Sequence, residues 1–152
     1  MSLSLVRQRK LSACVLGALM MAPLSFSASA AEVTVKITGA RSDEGQILCA
    51  IYSSEKGFPT KGKSADEQQK HTPQNGKTTC VYSGLAAGDY AVAASHDKNS
   101  NGKTDKNFLG IPRETWGVSK NVRPNLRAPK FAEALFSLAA DENLTITIEL
   151  DK

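Results

Sequence analysis

The chain has 152 residues, with 19 Lys and Arg against 15 Asp and Glu, and its 41% hydrophobic and 22% charged residues fit a globular domain rather than a disordered one. Arg7, Arg9 and Lys10 stand together near the N-terminus, and without them the balance is 16 to 15. So even a charge balance excludes a surface built for nucleic acid or for an anionic membrane.

The basic cluster begins a targeting segment. Residues 11–24 are apolar, and Ala28-Ser29-Ala30 gives a small-residue cleavage signature, the pattern of a secretory signal. The apolar run of about fourteen residues is too short to span a bilayer. Leu11-Ser12-Ala13-Cys14 resembles a lipoprotein box, but it precedes the hydrophobic run instead of following it. Residues 1–30 are therefore expected to be a removed signal peptide. Residues 31–152 then form a single periplasmic or secreted domain of about 120 residues without a transmembrane segment.

The mature chain reads as strands. Val33, Val35 and Ile37 alternate with polar residues, and so do Leu144, Ile146, Ile148 and Leu150, which predicts one buried face for each. Residues 46–52 form a continuous β-rich run after the Asp43-Glu44-Gly45 turn. Residues 78–82 and 89–95 follow, and a weaker segment at 134–138 precedes the Asp141-Glu142-Asn143 turn. No long amphipathic helix competes, although Pro129 suits the first turn of a short one over 128–135. Two connections, 53–77 and 96–132, are long for so small a domain, a length that points to function or mobility. The pattern predicts an all-β fold, a single antiparallel β-sandwich of about seven strands with two long loops.

Two cysteines remain once Cys14 leaves with the signal. In an oxidising compartment Cys49 and Cys80 are expected to form a disulfide. Their separation lacks the C-x-x-C spacing of a metal or redox pair.

Several motifs recur in a distinctive order: Gly57-Phe58-Pro59, Gly84-Leu85, Gly88-Asp89-Tyr90-Ala91-Val92, then His96-Asp97 with Asn99, Asn101, Gly102 and Asp105. Gly110-Ile111-Pro112, Glu114, Gly117-Val118-Ser119 and Phe131-Ala132-Glu133-Ala134 complete the series. Over nearly the whole mature chain this resembles the domain-of-unknown-function 2141 family of exported bacterial proteins. Val118 stands where that family more often has an aromatic residue. The strand-and-turn pattern is also similar to Ig-like, transthyretin-like and carboxypeptidase-regulatory-like sandwiches. The resemblance implies fold and export and assigns no chemistry.

The densest chemical signal is the 97–105 loop. Asp97, Asn99, Asn101 and Asp105 place side-chain oxygens at alternate positions, with Gly102 between, half of a calcium-loop pattern. A full EF-hand is excluded, because its twelfth position is Phe108 and the flanks are not helical. A shorter loop remains, with Ca2+ as the candidate ion. Its ligands would be those four side chains, the Lys103 carbonyl and Glu114 from beyond the Gly110-Ile111-Pro112 turn. Against this stands a purely structural loop, since Asp and Asn stabilise turns through their own backbone and Gly102 supplies a positive φ. Lys98, Lys103 and Lys106 also oppose a cation.

Other chemistry is weaker. His96 with Asp97 or Glu114 is the one acid-base arrangement on offer, but neighbours on a strand face opposite ways. With His71 in a polar loop as the only other histidine, zinc is not expected. Phe58, Phe108, Trp116 and Phe131 either form a binding platform or fold back to pin the loops. Arg113, Lys120, Arg123 and Arg127 near Trp116 offer a locally basic end. Together these give an exported, non-catalytic module that binds an envelope protein or glycan, with His96, Phe58, Phe108, Arg113 and Trp116 as candidate contacts. A small enzyme using His96 and a self-associating structural module are the rival expectations.

Overall fold

A computed structural model describes residues 30–102, 105, 107–109 and 113–151. The proposed signal peptide lies outside the described residues, apart from Ala30. The described residues form eight strands: β1 (Ala31–Thr38), β2 (Gln46–Tyr52), β3 (Glu67–His71), β4 (Thr78–Leu85), β5 (Gly88–Asp97), β6 (Trp116–Val118), β7 (Phe136–Leu138) and β8 (Asn143–Glu149). One short helix, α1 (Phe131–Ala134), precedes β7. Among these residues no helix is long and apolar enough to cross a membrane.

Alternation explains the layering. Val33, Val35 and Ile37 of β1 are fully buried between polar neighbours, and they meet Cys80 and Tyr82 of β4 and Ile148 of β8. These strands form a three-stranded sheet in the order β4-β1-β8. It packs on a five-stranded sheet in which β3-β2-β5-β6 run side by side and β7 pairs with the start of β5. The shared core takes Ile47, Cys49 and Ile51 from β2 and Tyr90, Val92 and Ala94 from β5. Every pair is antiparallel except β1 with β8, which run parallel from Glu32↔Asn143 to Thr38↔Glu149. The sandwich expected from the pattern is present, and this parallel join of first and last strands is its one departure from antiparallel pairing.

A second apolar cluster covers the outer face of the larger sheet. Ala50, Tyr52, Ala91, Ala93 and Val118 lie under Ala134, Phe58 and Phe131. That is why β2 and β5 read as unbroken apolar runs: both of their faces are covered. Ser119, also buried, joins the layers by donating to the Ala134 carbonyl at 2.6 Å and accepting the Val92 N–H at 3.0 Å. Gly117 has to be glycine here, since a Cβ would lie 2.7 Å from the Glu149 carbonyl oxygen.

Two expectations need correction. The 53–77 connection is not wholly a loop, because its polar Glu67–His71 segment is an edge strand paired antiparallel with β2. Its Gln69 side chain bridges to the other sheet, donating to the Val81 carbonyl at 2.7 Å and accepting its N–H at 3.3 Å. An edge strand needs backbone bonds on one side only, so apolar alternation does not mark it. The Cys49–Cys80 disulfide is not formed in the structure. Both cysteines are buried free thiols. They face each other across the core, where the hydrogen bond to Cys49, followed by burial, pushes the Cys80 thiol up. Tyr82 also donates to Cys49 Sγ at 3.1 Å.

Candidate functional site

The last residues of β5 and the first of β2 lie side by side, with Gln46 opposite Asp97 and Ile47 opposite His96. The turn before β2 folds over this end. Gly45 has φ +75°, and any Cβ would meet the carbonyls of Asp97 and Lys98, so the turn lies against the loop leaving β5. Asp43 fastens it from the far side by accepting the N–H groups of Asn75 at 2.9 Å and Gly76 at 2.8 Å. Those bonds, Gly76 first, hold its carboxyl below the ordinary aspartate range.

The 97–105 loop is built around Asp97. The residue has no solvent exposure. Its carboxylate accepts Gln46 Nε2 at 2.9 Å, the Asn101 N–H at 3.0 Å and the Gly102 N–H at 2.7 Å, the pattern by which a buried charge is satisfied. Asp105 accepts the side-chain amides of Asn99 at 2.8 Å and Asn101 at 2.9 Å. Glu114 closes the loop from outside, taking the N–H of Lys98 at 3.0 Å and of Asp105 at 2.9 Å. Two backbone bonds reinforce it, Arg113 N–H to the Asp105 carbonyl at 2.8 Å and His96 N–H to the Thr115 carbonyl at 2.9 Å.

The sequence thus placed Asp97, Asn99, Asn101, Asp105 and Glu114 in one neighbourhood, and the structure joins them through hydrogen bonds. Lys103, the expected carbonyl ligand, lies outside the described residues. Among the described residues no group of three or more His, Cys, Asp and Glu is arranged to hold a metal. Lys98, which the sequence set against a cation, turns its ammonium to Glu44 at 2.9 Å. That bond holds the Glu44 carboxyl below its usual range.

The remaining candidates separate. His96 is 3% exposed, and its Nε2 donates to the Glu44 carbonyl at 2.8 Å. Its nitrogen is spent on the turn. Phe58 packs edge-on against Tyr52 and Phe131, at centroid distances of 5.3 and 5.9 Å, and pins its loop to the second core. Trp116 is a β6 residue whose N–H and carbonyl pair with Asp151 at 2.8 and 3.0 Å. Arg123 lies 5.1 Å from its ring and donates to the Trp116 and Glu149 carbonyls. Phe108, in contrast, is 93% exposed. A shared aromatic platform is therefore not assembled.

His96 and Arg113 do come together. They line a cavity of about 190 Å³ with Arg41, Ser42, Lys98 and Glu114. Sequence reasoning missed Arg41 and Ser42, because nothing in a polar turn shows that it folds against the end of a distant strand.

No curated protein and no solved structure matches the chain, and the wider likeness to transthyretin-like sandwiches rests on strand pattern alone. A family model described as "Uncharacterized protein conserved in bacteria (DUF2141)" matches residues 35–147, from the second half of β1 to the middle of β8. The match takes in the whole 97–105 loop and its Glu114 clamp, and the chain belongs to the DUF2141 family.

Proposed function

We propose that the chain is an exported, non-catalytic binding module of the cell envelope whose binding surface is the sandwich end to which residues 39–45, 97–102, 105, 107–109 and 113–115 contribute. The observation that carries this reading is the closure of the loop by Asp97 and Glu114. Their carboxylates accept four loop N–H groups between them, so they serve to fix a shape. A fixed loop presents a surface at low entropic cost to a partner. The apolar pair Phe108 and Leu109, 93% and 67% exposed, projects from that loop.

The test is site-specific photocrosslinking on intact envelopes. A crosslinker at position 108 should join one discrete envelope component, and one at Val81, on the outer face of the smaller sheet, should not. Equal labelling from both positions, or none from 108, would remove this end as the binding surface.

Calcium is the candidate occupant of the loop. Its side-chain oxygens stand close together, and a cation bound by the folded loop alone would stabilise it by mass action. Thermal melts in calcium and in chelator decide the point. A higher Tm in calcium that disappears in Asp105→Ala assigns a cation to the loop, and superimposed melts assign its rigidity to hydrogen bonds. The enzymatic alternative rests on His96 and Glu114 lining one cavity. It requires that His96→Ala abolish a turnover while leaving crosslinking from position 108 intact.

A further inference from the structure

We propose that the cavity between the Arg41-Ser42 turn and the base of the 97–115 loop is an oxyanion site, taking a carboxylate or phosphate group of the module's ligand. The inference rests on the reading of this end as a binding surface and gives that ligand a chemistry. Three cations, Arg41, Lys98 and Arg113, line the cavity against one carboxylate, Glu114. Lys98 is engaged by Glu44, and both oxygens of Glu114 are engaged by backbone N–H groups. The guanidinium groups of Arg41 and Arg113 have no hydrogen-bond or ion-pair partner among the described residues, and a guanidinium is the group that best grips an oxyanion, through paired N–H donors.

A second observation points the same way. The Ser42 hydroxyl is buried without a hydrogen-bond partner among the described residues, although buried polar groups are almost always paired. It belongs to a residue lining the cavity, and rotation about χ1 would turn it from its closed-in position toward an anion held there. The volume of about 190 Å³ falls below the roughly 300 Å³ at which drug-sized pockets begin. The cavity therefore suits one charged group and not a nucleotide or a sugar chain.

The test uses the isotope-labelled mature protein, titrated at constant ionic strength with inorganic phosphate in one arm and succinate in the other, with amide shifts as the readout. Saturable shifts at Ser42, Lys98 and Thr115 are expected, and the arm that saturates at lower concentration names the preferred oxyanion. Arg41→Ala with Arg113→Ala should weaken binding roughly tenfold or more, and Ser42→Ala about threefold. Arg127→Ala, which removes a guanidinium already paired with Glu133, should change nothing. Both arginines are exposed, so the double variant is expected to fold, and its unperturbed core resonances would verify this. Shifts that stay linear, or that persist in the double variant, overturn the site. If crosslinking at position 108 survives that result, only the oxyanion site falls. Saturable binding with no crosslinking would remove the module reading and keep the site.

Discussion

The carboxylate of Asp97 sits without solvent exposure and receives three N–H donors, one from β2 and two from its own loop. Its removal leaves those donors unpaired in a buried place. Asp97→Ala should therefore cost about 3 kcal/mol, and Asp97→Asn about half as much, because the amide keeps one acceptor. Asp105 serves only two exposed amides, so Asp105→Ala should cost under about 1 kcal/mol. Urea unfolding of the three variants measures the order, and equal costs would show that the loop is not organised from its buried end. The alternation of oxygen-bearing residues made this cluster legible in the sequence. Which N–H group each oxygen accepts was not, because Gln46 and Glu114 reach the loop from other segments.

At the scale of elements, β2 and β5 are covered on both faces, and the outer cover depends on single anchors from loops. Phe58→Ala should destabilise the domain by about 2–3 kcal/mol in urea unfolding and leave the phosphate titration unaltered, since the ring packs on Tyr52 and Phe131. A lost titration with unaltered stability would return Phe58 to the binding surface. The segment before α1 is held by Glu133, which accepts from Arg127 at 2.6 Å and from the Lys130 N–H at 2.8 Å. These bonds, Arg127 first, lower its carboxyl to about 2 from 4.5. A depressed folded value means that its contribution is complete above the unfolded value and disappears as pH falls from about 4.5 to about 2. Thermal melts through that window should show a shallower acid slope for Glu133→Gln than for the parent chain. The group is exposed, and the difference should be small. Strands with alternating or unbroken apolar residues were legible from their period. β3 and β6 were not: one is a polar edge and the other has three residues, and both exist because a neighbour supplies hydrogen bonds.

Across the whole molecule, Cys49 and Cys80 stand on the inner faces of opposite sheets, on β2 and β4. Both are held as free thiols, so thiol titration of the unfolded, non-reduced protein from residue 31 onward should find two free cysteines, and reductant should leave its Tm unchanged. No titratable thiol, together with a Tm lowered by reductant, would mean instead that the pair closes a loop of about thirty residues, worth roughly 3–4 kcal/mol in the chain-entropy model.

The sequence by itself determined the strand-built class, most strand positions, the family and the polar loop after β5, because period, turn residues and local hydrogen-bonding capacity are properties of short segments. Tertiary structure alone decided the parallel pairing of β1 with β8, the second apolar layer over β2 and β5, and the meeting of Arg41, Ser42, His96 and Arg113 around one cavity. Each depends on residues distant in the chain being brought together by burial of the sheets, and no local pattern encodes that approach.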